Sequence, residues 1–414
     1  MTDPASPPPS GGRGTLIGRL RPVALPLVAM MWVQVAISMA VITMPIIAVL
    51  AAPDIGVDVH YVGFFSAAAF VVCSFSAPVG GALVDRLGAG RVSQLSVLSS
   101  SIGIGLVATA SLPVVLLGAL LMGLGNGPAT PASTNILSRR APPGLLALVL
   151  SIKQSGGAIG NVLAGLVLPS LAIAIGWRGT TLAVAVFGIG LGVLLQFARA
   201  NLDREVMTAK EKAARPSILS GMVEVHSRRP LAVLSICGFC FCVAQLAIMT
   251  FFVPYMVDRV GLTPVKAGWL YSIGLGVAVF ARILIGGLSD WLGNRNRILF
   301  VLGFGQSVAV LWLALLEPDA ATIELLAVAI LFGCTGLTWT GVFLAELAQK
   351  VPIERMGAIS GAVFTYFYVG CVVGPAIFAT ARDATANYDL GFILIGVPAF
   401  LSAIPFLLPR RIIT

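Results

Sequence analysis

The sequence predicts an all-α membrane protein in which twelve transmembrane helices form two similar halves of six. Three observations support this fold class. The 414 residues are 58% hydrophobic and only 10% charged, whereas a soluble domain carries about a quarter charged residues. The apolar residues fall into twelve runs of about 20 residues, the length that crosses a bilayer as a helix. One short motif occurs twice, about 200 residues apart, as expected for two related halves.

The twelve predicted spans are numbered here in chain order, and their ends are placed to within a few residues. In the first half they are 23–50, 61–84, 92–111, 113–137, 145–174 and 179–198. In the second half they are 231–257, 267–289, 298–316, 322–349, 356–381 and 389–408. These limits divide the chain into a disordered tail (1–22), a first half (23–198), a polar linker (199–230), a second half (231–408) and a short tail (409–414).

The basic residues predict how the spans are oriented. If both termini are cytoplasmic, the cytoplasmic segments hold 20 of the 26 lysines and arginines. The opposite loops hold Arg178, Arg259, Lys266 and Arg382. Because cation-rich loops stay on the cytoplasmic side, this division supports both the orientation and the even number of spans. The net charge of +9 is therefore a topology signal and not a sign of nucleic-acid binding. The short loops and the lack of a signal peptide favour a bacterial inner membrane, and we expect a monomeric, multi-pass protein surrounded by lipid.

The repeated motif lies between the second and third spans of each half. It reads GALVDRLGAGR at 81–91 and GGLSDWLGNRNR at 286–297. Both copies resemble the signature loop of the major facilitator superfamily, and the resemblance covers nearly the whole chain. It implies the fold of that family and a gate on the cytoplasmic side that opens and closes as the halves rock. The gating residues it implies are Asp85, Arg86, Arg91, Asp290 and Arg295, and we add Glu346 near the end of span 10, where Arg297 or Arg355 is the expected partner.

Two cations fall inside predicted spans, and a charge inside a bilayer usually faces a cavity or a partner. Arg282 lies in span 8, two turns before Asp290. This setting is similar to the eighth helix of the oxalate/formate antiporter and of monocarboxylate transporters, where an arginine binds the substrate carboxylate. A guanidinium matches a carboxylate well. The alternative is a structural arginine bonded to helix carbonyls or to a carboxylate near the gate.

The second intramembrane cation, Lys153, lies near the start of span 5. It is followed by Gln154, Ser155 and two glycines, a sequence that allows close packing against a neighbouring helix. We consider three roles for Lys153. It binds an anion, it closes the gate on the cytoplasmic side, or it extends its ammonium group to the lipid headgroups.

Uncharged polar and aromatic residues complete the predicted binding site. In the family that the motif resembles, spans 1, 4, 7 and 10 line the central path, and spans 5, 8 and 11 contribute. On these spans we select six further candidates, which are Gln34, Asn126, Gln245, Tyr271, Trp339 and Tyr366. For each of them, a hydrogen bond or a packing contact between helices is as good an explanation as contact with a solute.

The sequence contains no pattern that indicates an enzyme or a cofactor. Cys237 and Cys240 have the spacing of a redox or metal pair, but they lie in an apolar run without a second pair or a nearby histidine. The predicted function is therefore secondary transport of a small organic anion, such as a carboxylate, with proton symport or exchange as the coupling. The alternative is efflux or uptake of a larger neutral or aromatic compound such as a drug or vitamin.

Overall fold

A computed structural model describes residues 16–57, 62–203, 220–318, 320–385 and 387–407, and within them the chain is almost entirely helical. The helices are α1 (Leu16–Ile55), α2 (Val62–Leu87), α3 (Ala89–Val107), α4 (Leu112–Arg140), α5 (Leu146–Leu202), α6 (Ser220–Ser227), α7 (Arg229–Asp258), α8 (Pro264–Leu292), α9 (Arg295–Ala314), α10 (Thr322–Thr335), α11 (Trp339–Lys350), α12 (Met356–Thr385) and α13 (Asp389–Ala403). Short 3₁₀ turns precede α12 and follow α13.

Ten helical segments of the described residues are long and apolar enough to cross a membrane. The longest is α5, which contains two of the predicted spans because its two parts meet at Gly176. The serine-rich α3 is the remaining span. In lipid, an apolar run of this length forms a helix, because a helix pairs every backbone N–H and C=O group within the segment. The predicted architecture of twelve helices in two halves is confirmed.

Two helices differ from their predicted limits. Helix α1 extends beyond 23–50 at both ends and includes four prolines. The predicted span 322–349 is divided into α10 and α11 by a break at residues 336–338. This break leaves the Leu337 carbonyl outside a regular helix, and that oxygen accepts a hydrogen bond from Arg282. The carbonyl freed at the break therefore has its partner on another helix. The hydropathy of a single segment does not reveal such a contact.

The two ends of the helical bundle are packed differently. We call the end that carries residues 88, 141–145, 293–294 and 351–355 the signature-loop side, and the other end the opposite side. On the signature-loop side, one hydrophobic core joins residues of both halves. On the opposite side there are two separate cores, one within residues 40–185 and one within residues 243–399. The halves are therefore joined at one end and separate at the other.

Ion pairs on the opposite side also form within each half and not between the halves. Asp54, near the end of α1, pairs with Arg178 at 3.3 Å and accepts a hydrogen bond from Trp177 at 3.0 Å. Asp258, at the end of α7, pairs with Arg382 at 3.2 Å. These two carboxylates occupy corresponding places in the two halves, and each pairs within its own half. Neither contact holds the halves together at this end.

Candidate functional site

A central cavity of about 660 Å³ lies between the two halves. Helices α1, α2, α4 and α5 line it from the first half, and α7, α8, α11 and α12 line it from the second. Its polar lining residues are Gln34, Ser38, Ser66, Asn126, Thr130, Gln154, Asn161, Gln245, Thr250, Tyr271, Thr340 and Tyr368. A depression of similar size on the second half surrounds Asp258 and Arg382, whose charges already neutralise each other.

Lys153 lies next to the floor of this cavity. Its side chain is only 1% exposed. Its Nζ donates hydrogen bonds to Oε1 of Gln34 at 2.9 Å and to Oε1 of Gln154 at 2.8 Å. Both glutamines line the cavity. An ammonium group has three donors, so two of them are directed at neutral amides, and none of the ion pairs among the described residues includes Lys153.

Arg282 lies on α8 with its guanidinium directed at backbone carbonyls. It donates to the carbonyl of Gln154 on α5 and to the carbonyl of Leu337 at the break between α10 and α11. The side chain is 9% exposed, and its Nε has no hydrogen-bond partner within the described part of the chain. Arg282 does not line the cavity in this conformation. These contacts agree with a structural role, and direct contact with a solute stays a prediction.

Gln154 connects the two buried cations, and the sequence analysis did not select it. Its side chain accepts from Lys153, while its backbone carbonyl accepts from Arg282. The lining of the cavity, as far as the structure describes it, contains no aspartate or glutamate. Isolated charges are costly in a low-dielectric interior. Two cations therefore lie beside a cavity whose described lining residues include no carboxylate.

Aromatic residues form one side of the cavity. The Trp339 ring lies 5.1 Å from Phe367, Phe367 lies 4.7 Å from Phe364, and Phe364 lies 5.9 Å from Tyr368, measured between ring centroids. Phe70 of α2 continues the series at 6.3 Å from Tyr368. We call these five residues the aromatic wall. All five line the cavity.

The structure brings most of the predicted site residues to the cavity. Five of them line it, namely Gln34, Asn126, Gln245, Tyr271 and Trp339. Lys153 and Arg282 lie beside its floor. Their contribution to solute binding stays a prediction, because position alone does not establish it.

The placement of Tyr366 differs from the prediction. Its hydroxyl lies 2.8 Å from Nε2 of His226 on α6, outside the cavity. The cavity face of α12 instead carries Phe364, Phe367, Tyr368 and Cys371. These positions follow the i, i+3 and i, i+4 spacing of one helix face, and residue 366 falls off that face. Helical periodicity was the signal that could have excluded Tyr366.

Asp290 joins the halves on the signature-loop side. Its carboxylate accepts hydrogen bonds from the backbone N–H groups of Ala147 at 3.1 Å and Leu148 at 2.9 Å, at the start of α5. Carboxylates are favoured at this end of a helix. Arg295 donates to the same carboxylate at 2.9 Å. A second contact between the halves runs from Arg139 to the carbonyl of Ile353 at 3.1 Å.

The other predicted gating residues have varied surroundings. Glu346 pairs with Lys350 at 3.3 Å and not with Arg297 or Arg355. Lys350 is one turn further along the same helix, and Arg355 is held by Glu224 at 2.7 Å.

In the first copy of the motif, the side chain of Asp85 lies outside the described residues. Arg86 is exposed at the end of α2. Arg91 donates to Oε1 of Gln94 at 2.6 Å. The gating roles of these residues stay predictions.

Two helical halves that enclose a central polar cavity and meet at one end define a multi-pass membrane transport protein. The chain belongs to the Major Facilitator Superfamily, whose family model matches residues 29–375. The resemblance found in the signature loop is confirmed. The members of this family found here are transporters that bind small molecules, and the chain is a transporter and not an enzyme.

Individual relatives are distant but cover most of the chain. A hexuronate transporter of Bacillus subtilis (strain 168) is 23% identical over 350 residues, which cover 80% of this chain and 82% of the relative. Monocarboxylate transporter 11 of Homo sapiens is 26% identical over 362 residues, which cover 80% of this chain and 71% of the relative. The structure of the proton:xylose symporter XylE bound to 6-bromo-6-deoxy-D-glucose has a TM-score of 0.72 at 13% identity, covering 93% of this chain and 95% of that one. At this identity the structural likeness shows the fold alone.

Proposed function

We propose that the protein transports a small organic anion, and specifically a carboxylate, by alternating access of the central cavity to the two sides of the membrane. Lys153 and Arg282 meet at Gln154 beside the cavity floor, and no ion pair of the described residues neutralises either of them. This observation carries the proposal, because an anionic solute supplies the missing counter-charge.

The names of two relatives support this class of solute. Hexuronates and monocarboxylates both carry a carboxylate, and the relatives named for them match four fifths of this chain. The guanidinium of Arg282 and the ammonium of Lys153 are charged donors, and charged donors form the strongest hydrogen bonds to a carboxylate. We propose that Lys153 attracts the carboxylate and that Gln34 and Gln154 orient it.

We further propose that the signature-loop side faces the cytoplasm of a bacterial cell, with both termini on that side. The division of the cations supports this orientation, and a bacterial relative supports the inner membrane. The cavity then faces outward in this structure. We propose proton symport as the coupling, with exchange as its competitor. A pH gradient imposed on proteoliposomes separates the two, because only symport is driven by protons in the absence of an internal anion.

The test is ligand-induced stabilisation of the purified full chain. A ligand that binds the folded state raises its melting temperature. We expect carboxylates to stabilise the wild type and their neutral amides to have little effect. Lys153→Gln keeps much of the length and the polarity of the side chain but removes its charge. We expect it to weaken carboxylate binding by about tenfold or more, as for other buried charge pairs.

Lys266→Gln is the matched control, because it removes one positive charge from an exposed position on α8. It should bind carboxylates as the wild type does. The melting temperature of each variant without ligand reports whether it has folded. Equal stabilisation of the wild type and Lys153→Gln by a carboxylate would contradict the proposal.

The second candidate is transport of a larger neutral or aromatic compound. The aromatic wall favours it, because flat rings stack well on aromatic faces. This candidate predicts that an uncharged aromatic compound stabilises the wild type and Lys153→Gln to the same extent.

A further inference from the structure

The two sides of the cavity offer different chemistry to a solute. The aromatic wall lies mainly on the second half, with Phe70 as its member from the first half. The amides of Gln34, Gln154 and Asn161 and the ammonium of Lys153 lie at the first half. The solute that fits must therefore have two unlike faces or ends.

The polar atoms of the aromatic wall are already used within the protein. The indole Nε1 of Trp339 donates to Oε1 of Gln245 at 3.0 Å. The hydroxyl of Tyr368 donates to the carbonyl of Asn126 at 3.2 Å. Phe364, Phe367 and Phe70 have no polar side-chain atom. The four wall residues of the second half are each at most 8% exposed, so the wall presents narrow strips of ring surface and offers almost no hydrogen bonds to a solute.

The first half retains free polar groups. The side chain of Asn161 lines the cavity and makes no hydrogen bond within the described residues. Gln154 uses Oε1 to accept from Lys153, and its amide nitrogen has no partner in that part of the chain. Lys153 itself has a third donor beyond the two that it uses. A carboxylate on this side finds donors, while hydroxyl groups that lie directly against the aromatic wall find none. The other polar lining of the second half, at Gln245, Thr250, Tyr271 and Thr340, lies outside the wall.

We infer that the preferred solute is an aryl monocarboxylate, with its carboxylate at the first half and its flat apolar ring against the aromatic wall. The inference rests on the proposed function and narrows its substrate class. A sugar acid carries several hydroxyl groups, and those that lie against the aromatic wall lose their hydrogen bonds to water without a replacement. An apolar surface rejects a solute with an added hydroxyl group by up to about a hundredfold. A ring without hydroxyls incurs no such cost.

The test compares four probes in which the charge and the framework, an aromatic ring or a hydroxylated sugar, vary independently. Benzoate is an aromatic anion, benzamide is its neutral amide, glucuronate is a hydroxylated anion, and methyl glucoside is a neutral sugar. Binding to the purified full chain is measured by calorimetry and by the shift in melting temperature. We expect benzoate to bind at least about tenfold more tightly than any of the other three, which corresponds to about 1.4 kcal/mol.

The outcomes separate this inference from the proposed function. Glucuronate that binds as tightly as benzoate would overturn the aryl class and leave the anion proposal standing. Benzamide that binds as tightly as benzoate would overturn the anion proposal. Absence of benzoate binding to the folded wild type would also overturn the inference.

Variants of the aromatic wall test the same point from the protein side. Phe364→Leu keeps an apolar side chain but removes a ring that contacts both Phe367 and Tyr368. We expect it to weaken benzoate binding by about three- to tenfold, the range of one aromatic contact. Phe304→Leu makes the same change on the exposed face of α9 and should leave binding unaltered. Equal binding by the wild type and both variants would contradict the inference.

Discussion

Asp290 accepts three hydrogen bonds where the halves meet, from Ala147, Leu148 and Arg295. We expect Asp290→Asn to destabilise the protein by about 1–3 kcal/mol, because the amide keeps the shape but removes the charge opposite a largely buried arginine. Arg295 is 8% exposed, so water compensates poorly. Thermal unfolding of the purified protein measures the change.

Asp258→Asn is the control for this prediction. Asp258 also pairs with an arginine, but both side chains of that pair are more than 40% exposed. Exposed ion pairs contribute about 0–1 kcal/mol. An equal fall in melting temperature in the two variants would show that Asp290 has no special role at the junction.

Residue-level prediction identified neighbours in the fold where the signal was local, and the roles of these residues stay predictions. Asp290 and Arg295 are close in sequence, and Lys153 and Arg282 are conspicuous charges in apolar runs. Gln154 was missed because one of its two hydrogen-bonding partners lies on the other half of the molecule. Tyr366 was selected for its ring, although the cavity face of its helix is set by periodicity.

The turn inside α5 depends on one glycine. Gly176 has φ 74° and ψ 164°, a region that is essentially restricted to glycine. We expect Gly176→Ala to lower the free energy of unfolding by about 1–3 kcal/mol, since a side chain makes this backbone conformation unfavourable. The unfolding transition of the purified variant measures the loss.

Gly165→Ala provides a comparison on the same helix. A Cβ atom at either glycine would meet no atom within 4 Å, and only Gly176 has a positive φ. We therefore expect Gly165→Ala to be neutral or slightly stabilising. If both variants lose the same stability, the backbone conformation is not the cause.

At the scale of elements, the number and order of the spans followed from hydropathy, with the division of the cations as support. Lipid requires every spanning segment to satisfy its own backbone, so length and polarity are sufficient signals. The break between α10 and α11 was not predictable in this way. The Leu337 carbonyl has its partner, Arg282, on a helix that is distant in sequence.

The three hydrophobic cores suggest how the whole molecule moves. Each half has its own core on the opposite side, so each can turn as a unit while the shared core on the signature-loop side comes apart. Close approach of α8 to α5 is part of this junction. A Cβ atom at Gly286 would lie 2.5 Å from Oγ of Ser151 and 2.9 Å from the carbonyl of Ala147.

We expect Gly286→Ala to shift the molecule toward the conformation that is open on the signature-loop side. The cavity cysteine Cys371 reports the shift, because it lines the cavity, which faces outward in the orientation proposed above. In intact cells, a membrane-impermeant thiol reagent should label Cys371 more slowly in the variant. Peptide mapping by mass spectrometry distinguishes Cys371 from the other five cysteines.

The neighbouring Gly287→Ala is the control for this experiment. Its Cβ atom would lie 3.8 Å from Leu148, an ordinary contact. Labelling in this variant should match the wild type. Unchanged labelling in Gly286→Ala would show that the close approach of the two helices does not hold the junction closed.

The repeated motif predicted that the molecule consists of two similar halves. The sequence did not predict which end is closed, because one sequence encodes both conformations of such a transporter and the difference in free energy between them is small. The shared core and the contacts of Asp290 and Arg139 identify the closed end only once the halves are seen together.

The two carbonyls held by Arg282 belong to different halves of the molecule. Separation of the halves on the signature-loop side must release the carbonyl of Gln154 and leave the guanidinium with vacant donors. A carboxylate fits such a planar fork with two parallel hydrogen bonds. We therefore expect unequal half-saturation concentrations on the two faces of the membrane, with the higher affinity where the solute meets the released arginine.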